Sequence, residues 1–288
     1  RQVPYSWNWG FMRRLFAYAV PLGLASVFGT FAMQIGKWVV AGRFSAAEYA
    51  VFDIAARELP FIGIITGSIM AVLIPEFVRQ YEKKDLKEIL RLWHAATSKT
   101  ALFLIPLTGL LAVFAKDVVL VLYSDKYLPA VGIFLVYLLF LPLRITQYGA
   151  LLMAAGESSL ILWSHAAAVP LCLVLCLVLT SSLGAIGAAI GTVLTIYAVA
   201  AALLVRCTRI LKVGLPEILP WNKLTRIALA TAAASVSALW ATSTMTPGLG
   251  RLALGAVIFG ILAGMILLSM GATRQEIRTA ITAIRVVS

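Results

Sequence analysis

The sequence predicts an all-α fold, a polytopic membrane helix bundle of about eight transmembrane helices in which six are followed by a C-terminal pair. Three observations predict it. Of the 288 residues 61% are apolar and 12% charged, with a mean hydropathy of +0.96, far from the roughly 45–50% apolar content of soluble domains. The apolar residues fall in runs near the roughly 20 residues that a helix needs to cross hydrocarbon. Lysine and arginine alternate between the connections, as orientation in a bilayer requires.

The predicted spans are 15–40, 51–74, 93–114, 130–154, 160–179, 185–205, 224–241 and 249–270. One set of connections carries Arg1, Arg13 and Arg14, then Arg79, Lys83, Lys84, Lys87 and Arg91. The same set continues with Arg206, Arg209, Lys212, Lys223 and Arg226, and with Arg274, Arg278 and Arg285. The other set holds Arg43, Lys116, Lys126 and Arg251. Sixteen against four predicts a multi-pass protein with both ends of this segment in the cytoplasm. Segment 80–91, QYEKKDLKEILR, has mixed charges at helical spacing and reads as a solvated lead-in to the third span, with Trp93 at the interface. Segment 115–129, whose charges cancel, reads as an interfacial helix and turn. Gly214, Pro216 and Pro220 mark an irregular linker, giving three parts: 1–210 with six helices, a cytoplasmic linker 211–223, and 224–288 with the final pair and a cytoplasmic tail.

The net charge of +12 does not imply nucleic acid, because the basic residues lie between hydrophobic runs rather than on a separate domain. Cys172 and Cys176 sit one turn apart in an apolar span and Cys207 among bases, so no disulfide framework or metal spacing is present and the three read as core residues. Phosphate-loop, zinc-protease and nucleophile-elbow patterns are absent. The expectation is a protein that is not an enzyme, with no catalytic residue, metal or cofactor. The chain begins at Arg1 without a signal segment and reads as the later part of a longer protein.

The most informative polar residue is Arg144, in an otherwise oily run from 129 to 155. Its guanidinium stays protonated, and a charge at the bilayer centre costs at least about 2.5 kcal/mol. On a continuous helix Gln147 and Tyr148 follow it by three and four positions, while Phe140 and Tyr137 precede it by four and seven. One face then carries a cation, an amide and aromatic rings, suited to a water-filled cavity for an anionic or sugar-bearing substrate. The alternative is a structural pair with a carboxylate or helix-end carbonyls.

In the first span Gln34 and Lys37 join the cavity candidates, although the Lys37 stem is long enough to snorkel to the surface. Asp53 and Arg57 are spaced for an i, i+4 pair, and Glu58 is left to neutralise Lys37 or Arg144 or to serve as a protonatable coupling site. His165, alone in the fifth span, reads as hydrogen-bonded structure. Pro60, Pro75, Pro106, Pro142 and Pro170 each remove a backbone donor in or near a span, and kinked helices around a cavity are common in transporters.

With these residues in view, a family resemblance follows. The stretch PLGLASVFGTFAMQIGKWVVAGRFSAAEYAVFDIAARELPF resembles the start of the second lobe of oligosaccharide flippases in the multidrug, oligosaccharidyl-lipid and polysaccharide exporter superfamily. YLPAVGIFLVYLLFLPLRITQYGALLMAAGES and SSLGAIGAAIGTVLTIY resemble later spans of that lobe, so the likeness covers about residues 11–205. It implies that 1–210 is one six-helix lobe of a two-lobed transporter and that 224–270 is the helix pair added in the polysaccharide and lipid II branches. The partners implied are a polyprenyl-linked oligosaccharide substrate, membrane lipid, and an N-terminal lobe of the same protein or a second copy. Polysaccharide polymerase and glycosyltransferases are implied as neighbours, and the location is the bacterial inner membrane.

Two departures stand out. Many relatives have an acid just before the lysine of the first span, where this chain has Gly36, and AAGESS after the fourth span is less basic than the lipid II branch leads one to expect. The resemblance implies a flippase for a polyprenyl-diphosphate-linked oligosaccharide. A lipid II flippase and a cation-coupled multidrug exporter are the alternatives within the superfamily. A non-transporting membrane subunit of a polysaccharide assembly complex is the alternative outside it.

Overall fold

A computed structural model of the protein describes residues 9–57 and 60–269. Arg1, Glu58 and the tail bearing Arg274, Arg278 and Arg285 lie outside the described residues, as does the remainder of the predicted segment 224–288 beyond Ser269. The described residues are largely helical, with seven helices long and apolar enough to cross a membrane and a bent pair long and apolar enough together for an eighth crossing. The protein is a multi-pass membrane helix bundle.

The first crossing is α1 (Trp9–Arg43), followed by α2 (Ala46–Ala55) and α3 (Pro60–Glu82). The predicted second span, 51–74, is thus corrected. A short helix of its own comes first, and the crossing begins about nine residues later. Ser45 starts α2 with a capping box, its hydroxyl accepting from the Glu48 amide while the Glu48 carboxylate accepts from the Ser45 amide. A hydrogen bond from the Ser45 hydroxyl to the Glu48 carboxylate at 2.7 Å, together with that from the Ser45 amide, holds the Glu48 carboxyl below its ordinary pKa. Pro60 then opens α3, at a position where its missing N–H costs nothing. A turn leads to α4 (Leu86–Val113), capped by Asp85 accepting from the Glu88 amide at 3.0 Å. The predicted lead-in 80–91 is therefore split between two helices, and Trp93 is 1% exposed in the core rather than interfacial.

Next come α5 (Ala115–Leu122) and a 3-10 turn (Asp125–Tyr127), a helix and turn as expected for this segment. The fourth span is α6 (Ala130–Leu138), α7 (Phe140–Leu143) and α8 (Tyr148–Ala154). Two long helices, α9 (Ser158–Leu183) and α10 (Ala185–Leu211), pack against each other and against α1. Their approach depends on glycine: a Cβ on Gly187 would stand 2.1 Å from the Leu179 carbonyl oxygen. Gly36 is similar, since a Cβ there would lie 2.6 Å from the Thr192 hydroxyl of α10. The acid many relatives place before the lysine has no room in this packing.

The linker contains α11 (Leu215–Ile218), whose Ile218 is fully buried in the core. The final pair, α12 (Trp221–Ala241) and α13 (Leu249–Ser269), packs on α4 and α5. Asp117 of α5, 1% exposed, fixes that docking by accepting from the Gly248 amide at 2.9 Å and pairing with Arg251 at 3.5 Å. The cysteines are buried and free, as expected.

Candidate functional site

The sequence places Arg144 on a continuous helix; the structure breaks the helix there. The ring of Pro142 collides with the carbonyl four residues back, and that residue, Leu138, ends α6. The short α7 closes with tight turns, the Arg144 amide donating to Leu141 O at 3.1 Å and the Ile145 amide to Pro142 O at 3.5 Å. The chain then bends by 40° before α8. Such a break inside a membrane needs its released carbonyls satisfied. Tyr148 donates its hydroxyl to Leu143 O at 2.7 Å, Thr146 donates to the same oxygen at 3.2 Å, and the Gln147 amide reaches Arg144 O at 3.5 Å. Gln147 and Tyr148 therefore lie close to Arg144 as expected, by bracing a break rather than by sharing a helical face. Tyr137 is 8% exposed and turned into an aromatic cluster with Phe52 and Phe140.

Arg144, Thr146, Gln147 and Tyr148 line a cavity of about 550 Å³. Its other walls come from α1, α3, α9 and α10, with Ser26, Thr30, Thr66 and His165 among the polar contributors. Among the described lining residues Arg144 is the only one of fixed charge. A half-buried guanidinium in a polar-rimmed chamber can make charge-assisted, bidentate hydrogen bonds to a phosphate or carboxylate. Phe140 and Arg144 also line a smaller space of about 40 Å³, as does Arg57.

Gln34 and Lys37 are not among the residues lining the larger cavity. Lys37 donates to Asp53 Oδ1 at 2.7 Å, with the two side chains 19% and 25% exposed. Snorkelling is therefore corrected to an ion pair between α1 and α2. The pair expected between Asp53 and Arg57 is present at 3.2 Å, so Asp53 serves both cations. That hydrogen bond from Lys37, with Arg57 behind it, holds the Asp53 carboxyl below the usual carboxylate range. Asp53 thus neutralises Lys37, while Glu58 lies outside the described residues.

Sequence reasoning read His165 as hydrogen-bonded structure, which its Nδ1 contact with the Ile161 carbonyl at 2.9 Å bears out, but passed over its place on the cavity wall. It also passed over Ser26 and Thr30 on α1. The available signal was the small-residue face Ala25, Ser26, Gly29 and Thr30, which lets α1 stand close to α9.

Residues 2–132 match the model of a family described as polysaccharide biosynthesis protein. A solved structure of the lipid II flippase MurJ in an inward closed conformation matches over 92% of this chain, with a TM-score of 0.67 and 15% identity. The chain spans 57% of that structure's length. No curated protein matches the chain. The family match covers the N-terminal part of the chain, and the structural match shows that the fold resembles that of MurJ. Within the polysaccharide biosynthesis match fall Gln34, Lys37, Asp53 and Arg57, whereas Arg144 and the helix break lie beyond residue 132.

Proposed function

We propose that the protein is part of an inner-membrane flippase that moves a polyprenyl-diphosphate-linked oligosaccharide from the cytoplasmic to the periplasmic leaflet, with both ends of this segment cytoplasmic. The observation that carries the reading is the α7/α8 break, which sets Arg144 on the wall of the 550 Å³ cavity. The family match and the fold likeness support a lipid-linked substrate and a transporter rather than an enzyme. Arg144 holds the diphosphate or an acidic sugar by charge-assisted hydrogen bonds, with Gln147 and Tyr148 fixing the backbone that carries it. The prenyl tail stays in lipid. Carrying a charged, hydroxylated head through bare hydrocarbon is prohibitive, so a polar route opening to each side in turn supplies the rate enhancement. The second lobe of that route comes from an N-terminal part of the same protein or from another copy.

A cation-coupled drug exporter fits less well, because the fixed charge on the cavity is positive and repels cationic drugs. The test is polysaccharide export in cells complemented with variants. Arg144→Ala is expected to lower surface polysaccharide by about 10- to 100-fold, the worth of a lost charge-assisted hydrogen bond, with protein level in the membrane unchanged. Arg144→Lys rescues in part, since it restores charge but not the planar fork. Normal polysaccharide with Arg144→Ala would refute the cavity role.

A further inference from the structure

His165 is an unassigned member of the cavity, and its setting is specific. Its Nδ1 stands 2.9 Å from the carbonyl of Ile161, one turn back on α9. A carbonyl only accepts, so Nδ1 carries the proton, and in the neutral ring Nε2 is left as an acceptor. The ring is seated on Gly29 of α1, where a Cβ would come within 2.9 Å of Cδ2 and 3.6 Å of Nε2. Any side chain at 29 would push the imidazole out of place. Both His165 and Gly29 line the chamber that Arg144 lines, as do Ser26 and Thr30 beside Gly29 on α1. The Thr30 hydroxyl donates to Ser26 O at 2.9 Å, so toward the cavity its oxygen also presents lone pairs.

Two chemistries thus meet in one space: a permanent cation at the α7/α8 break, and acceptors held by the α1–α9 contact. A cation selects an anion. Fixed neutral acceptors select donors, and a sugar ring presents O–H donors in quantity. We propose that the Nε2 of His165, positioned by Ile161 and Gly29, forms a second subsite that accepts a hydrogen bond from a sugar hydroxyl while Arg144 holds the attached phosphate. This rests on the anion-binding reading of Arg144. His165 then discriminates a glycosyl phosphate from a bare phosphate, which Arg144 alone does not.

The experiment measures binding of two probes, glucose 1-phosphate and inorganic phosphate, to the protein in nanodiscs by ligand-observed NMR. The unaltered protein is expected to bind the sugar phosphate more tightly than phosphate. His165→Phe keeps the ring's bulk and removes the acceptor. It is expected to weaken glucose 1-phosphate about 5- to 10-fold, the worth of one hydrogen bond, and to leave phosphate unchanged. Retained phosphate binding shows that the fold is intact. Gly29→Ala, which displaces the ring, is expected to give a smaller loss of the same kind, and His165→Gln, which returns an amide near the Nε2 position, to recover part of it. Arg144→Ala weakens both probes. If phosphate binds through Arg144 but His165→Phe leaves the preference for the sugar phosphate untouched, the His165 subsite is wrong and the anion reading stands. If neither probe binds the unaltered protein, the anion reading fails and takes the subsite with it.

Discussion

Lys37 and Arg144 are both cations set in apolar helical sequence, yet Lys37 delivers its charge to Asp53 at 2.7 Å while Arg144 stands at a helix break on the wall of a 550 Å³ cavity. What separates them is local chemistry. Lys37 lies on the unbroken α1, opposite a short helix that offers a carboxylate and is itself too short to cross the membrane. Arg144 follows a proline that interrupts its span, and at that interruption it lines the cavity. The ion pair ties α1 to α2; the broken span furnishes a polar wall. A charge in a membrane protein therefore reads as a site only once the partners within its reach are known.

Variants that separate the two cations sharpen this contrast. The largest effect on stability belongs to Asp53→Asn, which strands Lys37 and costs about 1–3 kcal/mol, since a charged hydrogen-bond partner is removed from a partly buried group. Thermal unfolding in detergent measures it. Polysaccharide export is expected to fall only as far as the protein level does. A specific transport defect at normal protein level would move Asp53 and Lys37 from the structural side of the comparison to the functional one.

A pH series gives a smaller, signed effect. The Asp53 carboxyl titrates lower in the folded protein than its ordinary value. Its stabilising contribution is thus complete above the unfolded-state pKa of about 3.9 and is lost as pH falls through the lower folded value. The thermal stability difference between the unaltered protein and Asp53→Asn is expected to hold at neutral pH and to shrink only below about pH 4. A difference that fades near pH 6 would contradict the pairing. Smallest of all is Arg57→Ala: its side chain is 61% exposed, and such pairs contribute roughly 0–1 kcal/mol. Thermal unfolding is expected to register at most a slight shift, and a larger one would promote Arg57 to a structural role beside the cavity.

The spans themselves were legible because apolar run length is a property of sequence alone, and the helices near 93–114, 160–179, 185–205, 224–241 and 249–270 lie where hydropathy puts them. Ser45 and Glu48 carry a capping signature that marks α2 as a separate helix, but the apolar run through the following segment masked it. At Arg144 the helical-face argument assumed regular geometry through Pro142. Arg144, Gln147 and Tyr148 do come together, through hydrogen bonds to carbonyls of Leu143 and Arg144 where the helix stops. The choice of Asp53 over Glu58 for Lys37 depends on how α2 leans on α1, which no local pattern encodes. His165 was legible as a hydrogen-bonded residue but not as a cavity one, because its ring lies against Gly29 on a helix 136 positions away in sequence.

The central claim, that Arg144 faces a hydrated chamber, is most directly tested by thiol accessibility in native membranes. The native cysteines, Cys172, Cys176 and Cys207, are all buried and give a quiet background. Arg144→Cys is expected to react with a small, charged, water-soluble thiol reagent. Val257→Cys, exposed on the apolar surface of α13, serves as the lipid-facing control and is expected to stay unmodified. A cysteine at 144 as inert as the one at 257 would contradict the account.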